Sequence, residues 1–518
     1  MPRAIKAKRA SKSSTHSGCA HDVVYTSVSP YSRSLSYYKP PSDDAIFSAK
    51  MQTGSSTATR LPPRSSFPRV SLLPQEALDL NPREEGDTFL DFSSNRGRTT
   101  VTPSRRTIYV VDVPDVAPDI SERVTRWTDP VPPEGAESNV PAPDKLRIGD
   151  IKDYLAAFYT GLDVKLLKNH FTFHTWKKGR GGLDHERGHV ALVAPDGFAT
   201  RIRFRPAGDG ATQGQLNLND MLDAVHASLP SDAFAMILIT NHDLYDTEDD
   251  DFCAGLAYGG SRICIMSTFR YNPVLDGRAG VNHLHSWPAS HCREYVDDSW
   301  EESEPALKDT EYGEERRKKK GAKVDPACML SIKADPETPM AAAMLAARDT
   351  LVPKSRDDWY GLWLARVCRT TSHELGHCVG IGHCVYFSCA MQGSATVAED
   401  IRQPPYLCPV CLKKMAFSLA GEPAIKSRGL EREKRSLAAE AEWVVASYRR
   451  MSAYCEERKS VGMFGALHAW LEARLKELDV DCDEVNGVVN GTMNGHTQQE
   501  DEEMGDDSVI FLGSKERN

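Results

Sequence analysis

No stretch of this 518-residue chain is apolar for long enough to cross a bilayer. The longest run, AFAMILIT at 233–240, falls well short of the ~20 residues of a spanning helix. The opening residues, MPRAIKAKRASKSS, lack the apolar core of a secretory signal. A basic excess is missing too. The formal charge is -10, so bulk attraction to nucleic acid or to an anionic membrane is not expected. Cysteine is sparse and odd in number, 13 in all, which excludes a disulfide scaffold. In a reducing compartment, closely set cysteines more often hold metal than pair with each other. These absences predict an intracellular protein, cytoplasmic or nuclear. Five basic residues precede Asp22, a pattern that also fits a mitochondrial transit peptide, although a solvated basic tail accounts for it more simply.

Mean hydropathy is -0.45, and both ends look unable to bury a core. Residues 1–140 are Ser- and Pro-rich, as in GSSTATRLPPRSS and PVPPEGAESNVPAP, and are expected to be disordered. One strand candidate, 107–113 (TIYVVDV), interrupts them. A single ordered domain is expected over 145–420. The mixed-charge stretch SWEESEPALKDTEYGEERRKKKGAK marks a flexible insertion at about 280–355. Within it, His283, His285, His291 and Cys292 match no standard metal spacing and read as scattered loop residues. Apolar stripes at Leu437, Ala441, Val444, Tyr448 and Met451, then at Phe464, Leu467, Leu471 and Leu475, predict a helical extension over 425–480. An acidic disordered tail, 481–518, closes the chain.

Inside the ordered region, helices alternate with strands. Ile148, Ile151, Tyr154, Leu155 and Phe158 line one helical face, and Gly161 is a stop. Strands are expected at 162–167, 190–194, 200–204 and 233–240, with a helix over 216–229. The fold class is therefore α/β (α+β), a twisted sheet carrying a site helix. Two further strands, 252–258 and 263–269, fall just upstream of that helix, where an unpaired edge could hold an extended peptide by main-chain hydrogen bonds. The site helix is expected to start at Asp357 or Asp358 as N-cap.

The chemistry gathers at 373–411. His373 and His377 stand at i and i+4, on one face of a helix, where two imidazoles can converge on one metal. Glu374 between them is placed to take a proton from a water that the metal activates. His383 follows after Gly380, a residue free to turn the chain back with φ > 0. Three ligands with one open position suit a catalytic zinc. Cys384, Cys389, Cys408 and Cys411 form C-x4-C and C-x-x-C pairs separated by 18 residues, the spacing of a closed four-thiolate zinc site. Cys378 reads as a packing residue.

HELGHCVGIGHC, then C-x-M with Met391, then C-x-x-C, resembles the archaemetzincin family of zinc metallopeptidases, in the metzincin clan. YLAAFYTGLDVKLL at 154–167, QLNLNDML at 215–222, TNHDLY at 240–245 and CAGLAYGGSRICIMSTFRY at 253–271 carry the resemblance over about 145–280 and 355–420. It implies a metzincin-like domain and peptide or protein substrates. It also implies two zinc ions per chain: a catalytic one on His373, His377 and His383, and a structural one on the four cysteines. Glu374 would be the general base and Met391 the Met-turn residue. The competing reading is a zinc-stabilised interaction protein with vestigial hydrolysis. Val509, Ile510, Phe511 and Leu512, flanked by Asp506, Asp507 and Ser508, resemble a SUMO-interacting motif through which either protein could be recruited.

Overall fold

The computed structural model describes residues 19–51, 61–133, 140–176, 188–307, 325–421 and 437–491. The chain divides into a unit 1–475 and a second unit 476–518. In the first unit, strand Ala233–Thr240 is buried at every position, as its unbroken apolar run requires of a strand covered on both faces. It lies at the middle of a five-stranded sheet. Thr107–Val111 pairs with it in parallel on one side and Ile263–Ser267 on the other. Asp163–Leu166 forms one edge, parallel to Thr107–Val111. Gly255–Tyr258 forms the other edge and is antiparallel, with Leu256 opposite Ile265.

A second, six-stranded sheet shares a core with the first. Its centre is the antiparallel pair Gly188–Val193 and Ala199–Arg205, joined by a turn in which Gly197 takes φ 88°. Phe173, Leu192, Phe204 and Trp127 from this side meet Met236, Leu238 and Ile265 from the central sheet, with helix Leu218–Ala227 contributing Met221, Leu222 and Val225. The mixed α/β class read from the alternating pattern is what the chain adopts.

The segments expected to lack structure differ most. Residues 61–94 and 101–133 are folded, and Thr107–Val111 is an inner strand of the central sheet. Apolar residues in 61–94 come singly or in pairs between prolines and polar residues, so no sustained periodicity announces them. They find partners far away instead. Phe67 meets Tyr406 and Trp470 edge-on at 5.6 and 5.3 Å, and Phe89 meets Phe417 at 5.5 Å. The expected insertion is also largely structured: helices Arg293–Leu307 and Pro339–Ala347 and strand Met329–Ser331 lie within it. That last strand pairs with Val23–Tyr25 near the N-terminus. Only long-range pairing orders such short elements. Residues 308–324, with most of the charged run, lie outside the described residues.

Helix Leu437–Glu456 packs on helix Ile148–Phe158, where Tyr454 meets Tyr154 at 5.6 Å and the Trp443 indole donates to Thr160 O at 2.7 Å. The following helix, Gly462–Gly491, runs into the stretch read as a disordered tail. Its residues from 476 onward are the described part of the second unit. Val509, Ile510, Phe511 and Leu512 lie outside the described residues. Among the described residues no helix is long and apolar enough to cross a membrane.

One buried group of the sheet region gives a pH prediction. His242 follows the central strand with its Nε2 at 3.1 Å from Val124 O, and burial pushes its pKa down from 6.5 to about 4. The unfolded chain therefore binds a proton between these values that the folded chain refuses. Stability from this site is full above pH 6.5 and is lost as the pH falls towards 4. A shift of this size corresponds to about 3 kcal/mol. Chemical unfolding of wild type and His242→Gln across this range is expected to show a shallower acid loss in the variant by about that amount.

Candidate metal centres

Helix Arg356–Val379 carries the first centre. Ser355, not Asp357 or Asp358, caps it. The Ser355 hydroxyl accepts from the Asp358 N–H at 3.1 Å while the Asp358 carboxylate accepts from the Ser355 N–H at 2.9 Å. This reciprocal capping box, rather than a lone acidic cap, sets the start of the helix. The helix packs on the edge strand Gly255–Tyr258 and its neighbour Ile263–Ser267 and is buried along most of its length. Its buried cations are paired. Arg366 holds both oxygens of Asp276 at 2.7 and 3.0 Å, and Arg369 donates to Asp400 at 2.5 Å and to Gln403. The helix ends at Gly380, whose φ of 101° is a left-handed conformation that side chains resist.

That turn brings His383 back to His373 and His377. The three ring centroids lie 4.6, 5.1 and 5.5 Å apart, and ligand atoms of all three fall within 4.8 Å of one another. Each ring is held by its Nδ1. His373 Nδ1–H donates to Ala390 O at 2.7 Å and His377 Nδ1–H to Ile381 O at 2.8 Å. A carbonyl can only accept, so in the neutral rings Nδ1 carries the hydrogen and Nε2 carries a lone pair. Burial holds both rings neutral, His377 with its pKa lowered to about 4 and His373 well below its usual value. The two Nε2 atoms nevertheless face each other at 3.0 Å. Two lone pairs at that distance repel, and a cation between them converts the repulsion into ligation. The donor set therefore fits a zinc ion.

His383 Nδ1–H donates to Glu84 Oε1 at 2.8 Å, and this bond holds the Glu84 carboxyl below its ordinary pKa. Glu84 was not legible from spacing, because it comes from 299 residues upstream, in the region read as disordered. An acidic residue behind a ligand histidine raises its basicity and fixes its ring. Glu84→Ala is therefore expected to weaken metal binding at the histidine site roughly 10- to 100-fold. Competition with a graded series of chelators measures it.

Glu374 is buried on the same helix. Burial, then the negative Asp400, push its pKa up to about 8, with Arg369 opposing; a cation beside it favours the carboxylate. The edge strand passes close by, so close that a Cβ on Gly255 would meet Glu374 Oε1 at 2.9 Å. Met391 lies under the histidines. Its sulfur sits against Gly376, between the two helical histidines, where a Cβ would approach it to 2.4 Å.

The second centre adjoins the first. Cys384, Cys389, Cys408 and Cys411 are all buried, with sulfur atoms within 4.8 Å of one another. Cys384 and Cys408 sulfurs are 3.5 Å apart. The N–H groups of Cys408 and Met391 donate to Cys389 Sγ at 3.2 and 3.5 Å, as backbone does around a metal-bound thiolate. Hydrogen bonds from Cys389, Cys408 and Cys411 hold the Cys384 thiol well below its usual pKa. Among the described cysteines none is in a disulfide. Four converging thiols from two short-spaced pairs are a donor set for a closed tetrahedral zinc. Cys378 stands apart from both groups, buried against Cys264.

Of the four residues at 283–292, His283 pairs with Asp276 at 3.1 Å. His291 lies between Arg69 O and Ser388 Oγ at 3.2 and 3.0 Å. His285, by contrast, gathers with Cys19 and His21, so the reading of all four as scattered loop residues fails there.

The sequence model of Peptidase family M54 matches residues 345–416, which span both centres. Archaemetzincin-2 of Pongo abelii is 24% identical over 361 residues, covering 69% of this chain and 72% of that protein. Archaemetzincin-1 of Homo sapiens is 35% identical over 92 residues, covering 17% and 18%. The crystal structure of archaemetzincin from Methanopyrus kandleri aligns over 61% of this chain and 97% of that one at 16% identity. Its TM-score of 0.27 is too low to support a fold assignment. By the matched residues and by these relatives, the chain is similar to the archaemetzincins of Peptidase family M54.

Proposed function

We propose that this chain is a working zinc metallopeptidase of the archaemetzincin type that hydrolyses peptide bonds with Glu374 as general base. The supporting observation is the anchoring of three imidazoles through Nδ1, two of them with Nε2 lone pairs 3.0 Å apart, beside a buried carboxylate. His373, His377 and His383 would hold the zinc, which when bound supplies the Lewis acidity that polarises a carbonyl and makes a water acidic. Glu374 takes the proton of the attacking water and returns it to the leaving amine. Among the described residues, strand Gly255–Tyr258 forms an unpaired sheet edge beside Glu374, so an extended substrate can add to it by main-chain hydrogen bonds. Such binding reads backbone more than side chains, which favours unfolded peptide segments as substrates. Cys384, Cys389, Cys408 and Cys411 would hold a second, structural zinc that fixes the loop carrying His383 and Met391.

The test is cleavage of peptides derived from denatured protein by wild type and Glu374→Gln at equal zinc occupancy. Glu374-dependent cleavage supports the peptidase. Indistinguishable rates would leave a zinc-stabilised interaction protein.

A further inference from the structure

We propose that Cys19, His21, His285 and Cys292 form a third metal site, a structural zinc of the Cys2His2 class, that clips the N-terminal arm to the segment before helix Arg293–Leu307. Nothing in this proposal depends on the peptidase reading. Ligand atoms of Cys19, His21 and His285 lie within 4.8 Å of one another. Cys19 has the side chains of Cys292, His21 and His285 as its neighbours, with Cys292 standing beside the group of three rather than within it. A tetrahedral zinc with bonds of about 2.0–2.3 Å needs donors about 3.5 Å apart, which small side-chain rotations supply from such a cluster.

The rings are already oriented. His285 stacks on Tyr295 with centroids 4.1 Å apart and planes 7° from parallel. His21 meets His285 edge-on, at 5.2 Å and 86°. The chain turns at His21, whose φ of 54° lies in the left-handed region that few non-glycine residues enter. Around the cluster the two segments are already joined by backbone, through a bridge between Val24 and Cys292 and a bond from Ala20 N–H to Glu294 at 2.9 Å. Cys292 is fully buried and Cys19 partly so.

An energetic reason favours a metal there. The arm contributes strand Val23–Tyr25, paired with another three-residue strand, and a small core of Tyr25, Leu73 and Val296. A pairing of two three-residue strands adds little stability by itself. A zinc joining residues 19 and 21 to 285 and 292 closes a very long loop and adds binding free energy to folding. Histidine and cysteine in equal number, drawn from two distant segments, are also the donor types zinc selects.

Zinc content of the purified full-length chain decides the proposal. The Cys19→Ser, His21→Asn double variant is expected to carry one zinc fewer per chain than wild type, whatever the occupancy of the other two sites. Equal zinc content in the two proteins would overturn the third site. Thiol alkylation of folded wild type, followed by mass spectrometry, guards against a variant that misfolds. Cys19 and Cys292 should resist alkylation until a chelator is added. Labelling that ignores chelator, or a Cys19–Cys292 disulfide without metal, would overturn it equally.

Discussion

Glu374→Gln is expected to lower kcat for peptide hydrolysis about 10³-fold, within the range of removing a general base, while zinc content stays at the wild-type level. Glutamine matches the carboxylate in shape but cannot take a proton. None of the bonds that hold the three imidazoles runs through Glu374: His373 is held by Ala390 O, His377 by Ile381 O and His383 by Glu84. The histidine site therefore survives the substitution. KM is expected to change little, because the carboxylate acts on a proton rather than on the bound chain, and a fall in kcat alone marks an interaction made in the transition state. The substitution also removes a buried acid whose pKa is pushed to about 8, so folding does not suffer from it. A fall in both rate and zinc content would point to a damaged site instead. Glu84→Ala gives the contrast, since it is expected to loosen metal without removing the base.

What could be read from the sequence follows from how local the signal was. His373, Glu374, His377 and the turn at Gly380 depend on helix periodicity and one glycine, so spacing alone placed them. The two cysteine pairs were as local, and their convergence across 18 intervening residues is what tetrahedral zinc chemistry demands. The run 233–240 announced its own position at the centre of the sheet. Glu84 carried no such signal. It sits in a Pro- and Ser-containing stretch whose apolar residues include Phe67 and Phe89, which pack against aromatic rings hundreds of positions later. Composition measures the local average, and this stretch is stabilised by distant partners. The same limit hid the gathering of Cys19 and His21 with His285. The N-cap differs from the expected one for a smaller reason: Asp358 is a cap partner at the third helical position, and Ser355 is the cap itself.

The four cysteines are where the largest loss of stability is expected. Cys389→Ser should release the structural zinc, lower the thermal midpoint by more than about 10 °C, and take the histidine-bound zinc with it. A structural zinc site contributes an apparent ~10–16 kcal/mol in small peptide systems, against a total of about 5–15 kcal/mol for a folded domain. Even a fraction of that is decisive. The link between the two candidate centres is covalent and short. His383 and Cys384 are adjacent, and Met391, packed under Gly376, donates its N–H to Cys389 Sγ at 3.5 Å. Cys384 N–H donates to Met391 O at 2.8 Å, so the loop that presents His383 is also the loop the thiolates hold. Cys455→Ser is the control. Cys455 is as fully buried as Cys389 but belongs to none of the clusters that could hold a metal among the described residues. Its replacement removes packing alone and should cost about 1–2 kcal/mol with no loss of zinc. Calorimetry with zinc analysis on both variants separates the cases. If the two serines destabilise alike and zinc is unchanged in both, the four thiols pack together without binding metal, and the second zinc must be given up.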